Sequence, residues 1–228
     1  MNSLQLQITG LVLILVPVVF NVFYALLQRS FDYPNILREP TEHVLLRFQE
    51  GGPRLRLMWY GFMLSAVLFV PVVLLLHEVL SVSDTLPYLG VATTLGVLSA
   101  AVQFLGLVRW PFLVPYLAQT YTDPRSSQAT RDAVAVTFQA FHRYAGVGIG
   151  ENLGYLFTGS WTLLVGIAMI GSPLFAPWIG WIAIIPAIGI FVGIFEEAGV
   201  KAAGVVTAIS YIVWSLWLVA AGINLLWR

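Results

Sequence analysis

The chain has 228 residues, of which 59% are hydrophobic and 10% charged, with a formal net charge of zero and a mean hydropathy of +0.86. A soluble domain carries about 45–50% apolar and about 25% charged residues, so a soluble globular enzyme is excluded, and disorder with it. The absence of cysteine excludes disulfides, thiolate metal sites, iron–sulfur clusters and a cysteine nucleophile, and a zero net charge offers no basic field to nucleic acid.

A spanning helix needs about 20 mostly apolar residues. Six stretches qualify: 8–27, 57–80, 88–108, 149–170, 175–195 and 204–226. The expected fold is an all-α integral membrane protein, a single domain of six transmembrane helices plus two cytoplasmic amphipathic or interfacial helical segments. The first stretch reads as a span and not as a cleaved signal peptide. Its flank MNSLQLQ has no Lys or Arg, its apolar run is too long, and no small-x-small site follows. Pro17 falls near its middle, and Asn21, one turn on, is placed to serve backbone groups that the proline frees.

The connection to the second span carries helix punctuation. Asp32 before Pro34 and Thr41 after Pro40 each suit an N-cap region with proline near the first turn. From Thr41 the apolar residues Val44, Leu45 and Phe48 fall at helical spacing, and Gly51-Gly52-Pro53 stops the run. This predicts a short amphipathic helix on the inner face of the bilayer. The second span carries Trp59 and Tyr60 at one end and Pro71 near its middle, and the third carries Ala92, Gly96 and Ala100 on one side. Trp110 to Leu117 is apolar but too short to span, so it is expected to be interfacial or re-entrant. Asp123-Pro124 signals a turn. Ser126 or Ser127 can cap a second amphipathic helix over about 128–144, with Val134, Phe138 and Phe141 on one face and Arg131, Asp132, Gln139, His142 and Arg143 on the other. That helix can run on into the fourth span, where Gly146, Gly150 and Gly154 repeat every four residues ahead of Thr158 and Thr162. Such stripes, with Gly189 and Gly193 on the fifth span, let neighbouring helices approach closely. Pro186 sits mid-span in the fifth, Trp178 and Trp181 near its start, and Trp227 at the end of the sixth.

Arginine and lysine set the expected orientation. Arg29, Arg38, Arg47, Arg54 and Arg56 lie between the first two spans, Arg109, Arg125, Arg131 and Arg143 between the third and fourth, and Lys201 between the fifth and sixth. The other side holds only Arg228. The two long loops are therefore expected in the cytoplasm and both termini outside.

Several stretches carry a resemblance. They are FDYPNILREPTEHVLLRF (31–48), WYGFMLSAVLFVPVVLLL (59–76), FLGLVRWPFLVPYLA (104–118), FQAFHRYAGVGIGENLGYLFTGSWTLL (138–164) and ISYIVWSLWLVAAGINLL (209–226). Together they resemble an uncharacterised bacterial family of small multi-pass membrane proteins, a domain of unknown function, over nearly the whole chain. The Arg-Trp-Pro-Phe and His-Arg-Tyr segments are the most distinctive. The resemblance implies a bacterial cytoplasmic (inner) membrane protein and carries no activity, substrate or catalytic residue.

Ionisable groups near membrane depth point to function, because charge is costly there. Glu151 opens the fourth span beside Asn152, Arg109 ends the third on the same side, Gln103 lies about two turns deeper, and Tyr155 follows Glu151 by one turn. These residues are candidates for a ligand pocket in the cytoplasmic half, with His142 or Tyr144 at its mouth. The structural alternative is that Glu151 serves the helix N-terminus and pairs with Arg109. No catalytic residue is assigned, and no metal or cofactor is expected. His43, His77 and His142 are scattered and form no coordination set. His43 and His142 are the pair that haem would need, but a b-type haem would more naturally use histidines inside the spans. FEEAGVKA (195–202) with Phe138 and His142 superficially resembles the intramembrane prenyl-protein proteases, yet the order is reversed and Lys201 stands where arginine belongs. Glu196, Glu197 and Lys201 are expected in a solvated turn. The lone lysine lies outside the spans, which excludes a retinal Schiff base. No phosphate loop or Ser/His/Asp constellation occurs.

Three functions fit these expectations. The first is a non-enzymatic accessory, assembly or sensory subunit. Besides the lipid bilayer, its partner would be a membrane protein or a second copy of the chain, bound through small-residue faces. The second is a small carrier or binding protein for a lipophilic or small polar ligand held in the cytoplasmic-side pocket. The third is a membrane enzyme with Glu151 and His142 as acid/base groups.

Overall fold

The computed structural model describes residues 3–82 and 86–228. Among them are six helices long and apolar enough to cross a membrane. With no water to pair exposed amides, helices satisfy their own backbone.

The first, α1, spans Ser3–Phe31 and runs unbroken through Pro17. Asn21 Nδ2 donates to the carbonyl of Pro17 itself at 2.7 Å and to Ser215 Oγ at 2.9 Å. It therefore ties α1 to the last helix, and does not serve the carbonyl one turn above Pro17 that the proline leaves free. A 3-10 turn, Asn35–Arg38, precedes α2, Thr41–Val67. Pro40 occupies the N-cap position of α2 without a side-chain hydrogen bond, so Thr41 begins the helix and does not cap it. The expected stop at Gly51-Gly52-Pro53 is there: α2 consists of two helical stretches that meet at a kink, where the Gly52 backbone is non-helical. Gly52 takes φ +55, a left-handed conformation that only glycine adopts freely. The helix breaks again at Leu68 and resumes as α3, Phe69–Leu80, because Pro71 has no N–H for the carbonyl of Val67 and its ring crowds it.

The third crossing is α4, Leu89–Leu107, prolonged by two short helices, α5 over Arg109–Phe112 and α6 over Val114–Thr122. Pro111 and Pro115 make the two steps. The expected interfacial Trp110–Leu117 segment is thus a jointed continuation of α4, packed on α2. At the following turn, Arg125 donates to both Asp123 carboxylate oxygens, with Nη2 at 2.8 Å, and holds that carboxyl below the usual carboxylate range. Ser127 then caps α7, Gln128–Phe141, accepting from the Thr130 N–H at 3.2 Å. Ser127→Ala is expected to cost about 1 kcal/mol, read as faster amide exchange confined to the first turn of α7.

From α7 the chain continues without interruption, but residues His142–Leu153 wind as a π-helix before α8, Gly154–Gly171. The bundle closes with α9, Pro177–Val192, a 3-10 turn Gly193–Phe195, and α10, Ala203–Leu226.

Helices in lipid gain nothing from hiding apolar surface from each other, so close backbone packing must hold them. Three glycine-on-glycine crossings do this. A Cβ on Gly222 of α10 would stand 2.6 Å from the Gly10 carbonyl oxygen of α1. One on Gly106 of α4 would stand 2.6 Å from Gly150 Cα of the π-helix, and one on Gly166 of α8 would stand 3.0 Å from the Gly180 carbonyl oxygen of α9. Gly96 of the third span and the glycine stripes of the fourth and fifth are thus occupied within the bundle, Gly96 against Trp161 and Gly189 against Ser210. Two apolar clusters fill the interior. One lies among α1, α3, α4, α8, α9 and α10 around Phe69, Trp161 and Trp214. The other, around Phe31, Trp59 and Trp110, lies at the end of the bundle that carries the long loops.

Candidate functional site

Between these clusters is a cavity of about 370 Å³, within the ~300–1,000 Å³ typical of small-molecule pockets. Its walls come from α1 (Phe20, Asn21, Tyr24), the first loop (Tyr33, Arg38), α2 (Phe62), α4–α5 (Gln103, Gly106, Arg109, Trp110), the π-helix (His142, Gly146, Gly150, Glu151), α8 (Tyr155) and α10 (Thr207, Tyr211). Glu196 and Glu197 reach it from the turn before α10. Five of the six residues singled out in the sequence line it: Gln103, Arg109, His142, Glu151 and Tyr155. Asn152 does not. It donates to the Ile194 carbonyl at 3.5 Å and lines a smaller neighbouring hollow with Glu151, Glu196 and Glu197.

Arg109 is 7% exposed. It is seated by glycines. Its Nη1 donates to the Gly106 carbonyl, and a Cβ on Gly146 would stand 2.6 Å from its Cζ. Its Cζ lies 5.3 Å from the Trp110 ring centroid, a cation–π contact. Its Nε is buried with no hydrogen-bond partner among the described residues. The expected pairing of Arg109 with Glu151 is not closed. Among the described residues the ion pairs within 4 Å are Arg38–Glu196, Arg47–Glu50 and Arg125–Asp123. Arg109 and Glu151 therefore line one cavity without pairing by contact.

The π-helix brings Glu151, His142, Gly146 and Gly150 onto this wall. The i→i+5 ladder widens the turn, and π-wound segments are frequent at functional sites. His142 stacks on Phe138, rings 6.0 Å apart and near parallel, and its Nδ1 has no partner among the described residues. Gln103 bridges α4 to α8, donating to Ser99 Oγ at 2.8 Å and Thr158 Oγ1 at 3.3 Å, so it also holds the cavity's inner end together. Tyr144 is 71% exposed and is absent from the cavity lining. His43 is exposed on α2, and His77 bonds Thr93 Oγ1 at 2.7 Å. Neither faces the cavity, and among the described residues no cluster of three or more metal-ligating side chains occurs.

Sequence reasoning missed Tyr24, Tyr33 and Tyr211 and the place of Glu196 and Glu197 beside the cavity. Tyr24 and Tyr33 meet edge to face at 5.7 Å, and Tyr155 and Tyr211 lie 6.2 Å apart. Burial pushes the Tyr33 hydroxyl up from its ordinary range, with the charge of Glu151 adding to it, so it stays a neutral hydrogen-bonding group. A tyrosine inside an apolar span, such as Tyr211, was the available signal, because its hydroxyl needs a partner or a wet cavity. Glu196 and Glu197 lie in a turn, as expected, with Glu197 exposed, and they also border the cavity, where Glu196 bonds Arg38 at 3.3 Å across its rim.

No curated protein and no solved structure matches the chain. The family described as "Domain of unknown function (DUF4386)" matches residues 8–222, which take in all six long helices but their extreme ends and every cavity residue named above, so the chain belongs to that family.

Proposed function

We propose that this chain is a small-molecule binding or carrier protein of the bacterial cytoplasmic membrane, working through the cavity between α1, α4, the π-helix and α10. One observation carries this reading. A buried, permanently charged guanidinium lines the cavity with no carboxylate of the described residues within ion-pair distance. An uncompensated buried charge is expensive unless something pairs with it, and a structural arginine would sit against its own carboxylate. The mixed wall supports the same reading. Apolar and aromatic lining with a few convergent polar groups is the ordinary make-up of a ligand pocket.

The test is native mass spectrometry of the protein extracted from its own membranes in mild detergent. A stoichiometric non-protein mass, lost from Arg109→Gln, is expected. A bare polypeptide from both proteins, whatever the detergent, would count against binding. A second polypeptide in stoichiometric amount would favour an accessory subunit instead.

The orientation proposed with it puts the arginine-rich loops and the cavity's loop-side rim in the cytoplasm, on the strength of ten of the eleven Lys and Arg residues lying on that side. The chain has no cysteine, so single cysteines report directly. In intact cells, Val82→Cys is expected to react with a membrane-impermeant maleimide and Gln128→Cys to be protected. The reverse pattern would invert the topology.

A further inference from the structure

The charges on the cavity wall define the ligand more narrowly. The inference rests on the binding reading above and adds the ligand's class. Arg109 cannot shed its proton in a protein, and among the described residues its guanidinium hydrogen-bonds to the Gly106 carbonyl alone. Glu151, on the π-helix packed against the same stretch of α4, has no ion pair within 4 Å among those residues. Both line one cavity. A ligand carrying only an anion would satisfy Arg109 and set its own charge beside Glu151. A ligand carrying only a cation would do the reverse. One molecule carrying both charges satisfies both groups at once.

The surroundings fit each end. Beside Arg109 the Nε of its own guanidinium and the Nδ1 of His142 are buried and unpartnered among the described residues, which leaves donor capacity for a carboxylate or phosphate. Tyr33, Tyr155 and Tyr211 line the same cavity as Glu151, and their ring faces suit an ammonium. The remaining charges do not upset the balance. Arg38 and Glu196 pair with each other, and Glu197 is exposed.

We propose that the cavity binds a zwitterion, its acidic group on Arg109 and its ammonium group on Glu151. The same chemistry is presented by a free amphoteric molecule with an apolar body and by the headgroup of a zwitterionic phospholipid.

Two matched probe series test this on the purified full chain. Phenylalanine, 3-phenylpropionate and phenethylamine share one apolar body and carry both charges, the anion alone and the cation alone. Nanodiscs of phosphatidylethanolamine, of phosphatidylglycerol and of a cationic lipid give the membrane-borne equivalent. Binding is read by thermal shift and by titration. The doubly charged member of one series is expected to bind about ten-fold or more tighter than either singly charged member, and the series that shows it identifies the source. Glu151→Gln should move the preference to the anion, and Arg109→Gln to the cation. A misfolded variant would lose all binding and cannot imitate that exchange. Equal binding of the zwitterion and the anion, or no binding in either series, overturns the zwitterion. The binding reading itself stands or falls separately, on whether a retained mass is found.

Discussion

Trp110→Ala is expected to cost about 3–5 kcal/mol, the range for emptying a buried tryptophan site, and to lower ligand retention along with stability. Trp110 is 1% exposed and stacks on Trp59 with ring centroids 4.2 Å apart and planes 7° from parallel. Phe31 meets its edge at 5.6 Å, Phe48 lies at 6.0 Å and Phe138 at 6.2 Å. One ring thus fastens the end of α1, both halves of α2, and α7 beneath the cavity. It also carries the cation–π contact of Arg109, so its loss frees the guanidinium as well as the floor. Trp110→Phe should retain much of the stacking and cost clearly less. Denaturant titration in detergent measures both. A change in the alanine variant within about 0.5 kcal/mol, the range of an ordinary surface substitution, would show that this cluster does not hold the loop end of the bundle.

Gly106→Val is expected to destabilise by about 1–3 kcal/mol through overpacking. The added Cβ would fall 2.6 Å from Gly150 Cα and 3.1 Å from the Ala145 carbonyl. Both contacts are backbone, so neither can swing aside as a side-chain tip would. Relief requires α4 and the π-helix to separate, and the Gly106 carbonyl that seats Arg109 moves with them. If the cavity binds as proposed, the variant should therefore lose its ligand even where it still folds. Gly90→Ala is the control on the same helix. Nothing among the described residues lies within 4 Å of the position its added methyl would take, and alanine favours helix over glycine by up to about 1 kcal/mol, so it should be neutral or slightly stabilising. Melting curves and native mass spectra of the two variants, side by side, separate crowding from the mere loss of glycine.

The crossings of the bilayer were legible in the sequence because lipid enforces a simple rule. A spanning segment must be long, apolar and helical, and each stretch read that way lies on one of the six long helices. Arg109 and Glu151 were legible for the opposite reason, since a charge at such depth is too costly to be incidental. What a linear reading could not supply was the partner of each small residue. The spacing of Gly146, Gly150 and Gly154 shows that something packs closely, yet that Gly150 meets Gly106 while Gly146 yields its space to the Arg109 guanidinium is decided across helices.

The same holds for the acidic pair and the winding of the site helix. Glu196 and Glu197 sit in a short turn that reads as solvated, and only the fold of the first loop brings Arg38 to Glu196 at the cavity's rim. The sequence HRYAGVGIGENL is compatible with an ordinary helix, since apolar periodicity does not report whether a backbone N–H reaches back four residues or five. Tertiary packing chose the wider winding over His142–Leu153, and with it the cavity wall that carries Glu151. By itself the sequence determined how many helices enter the membrane and which charges go with them, because those follow from transfer costs summed along the chain. The tertiary structure decided which helix backbones touch and whether the two buried charges pair, because both depend on distances between residues far apart in sequence.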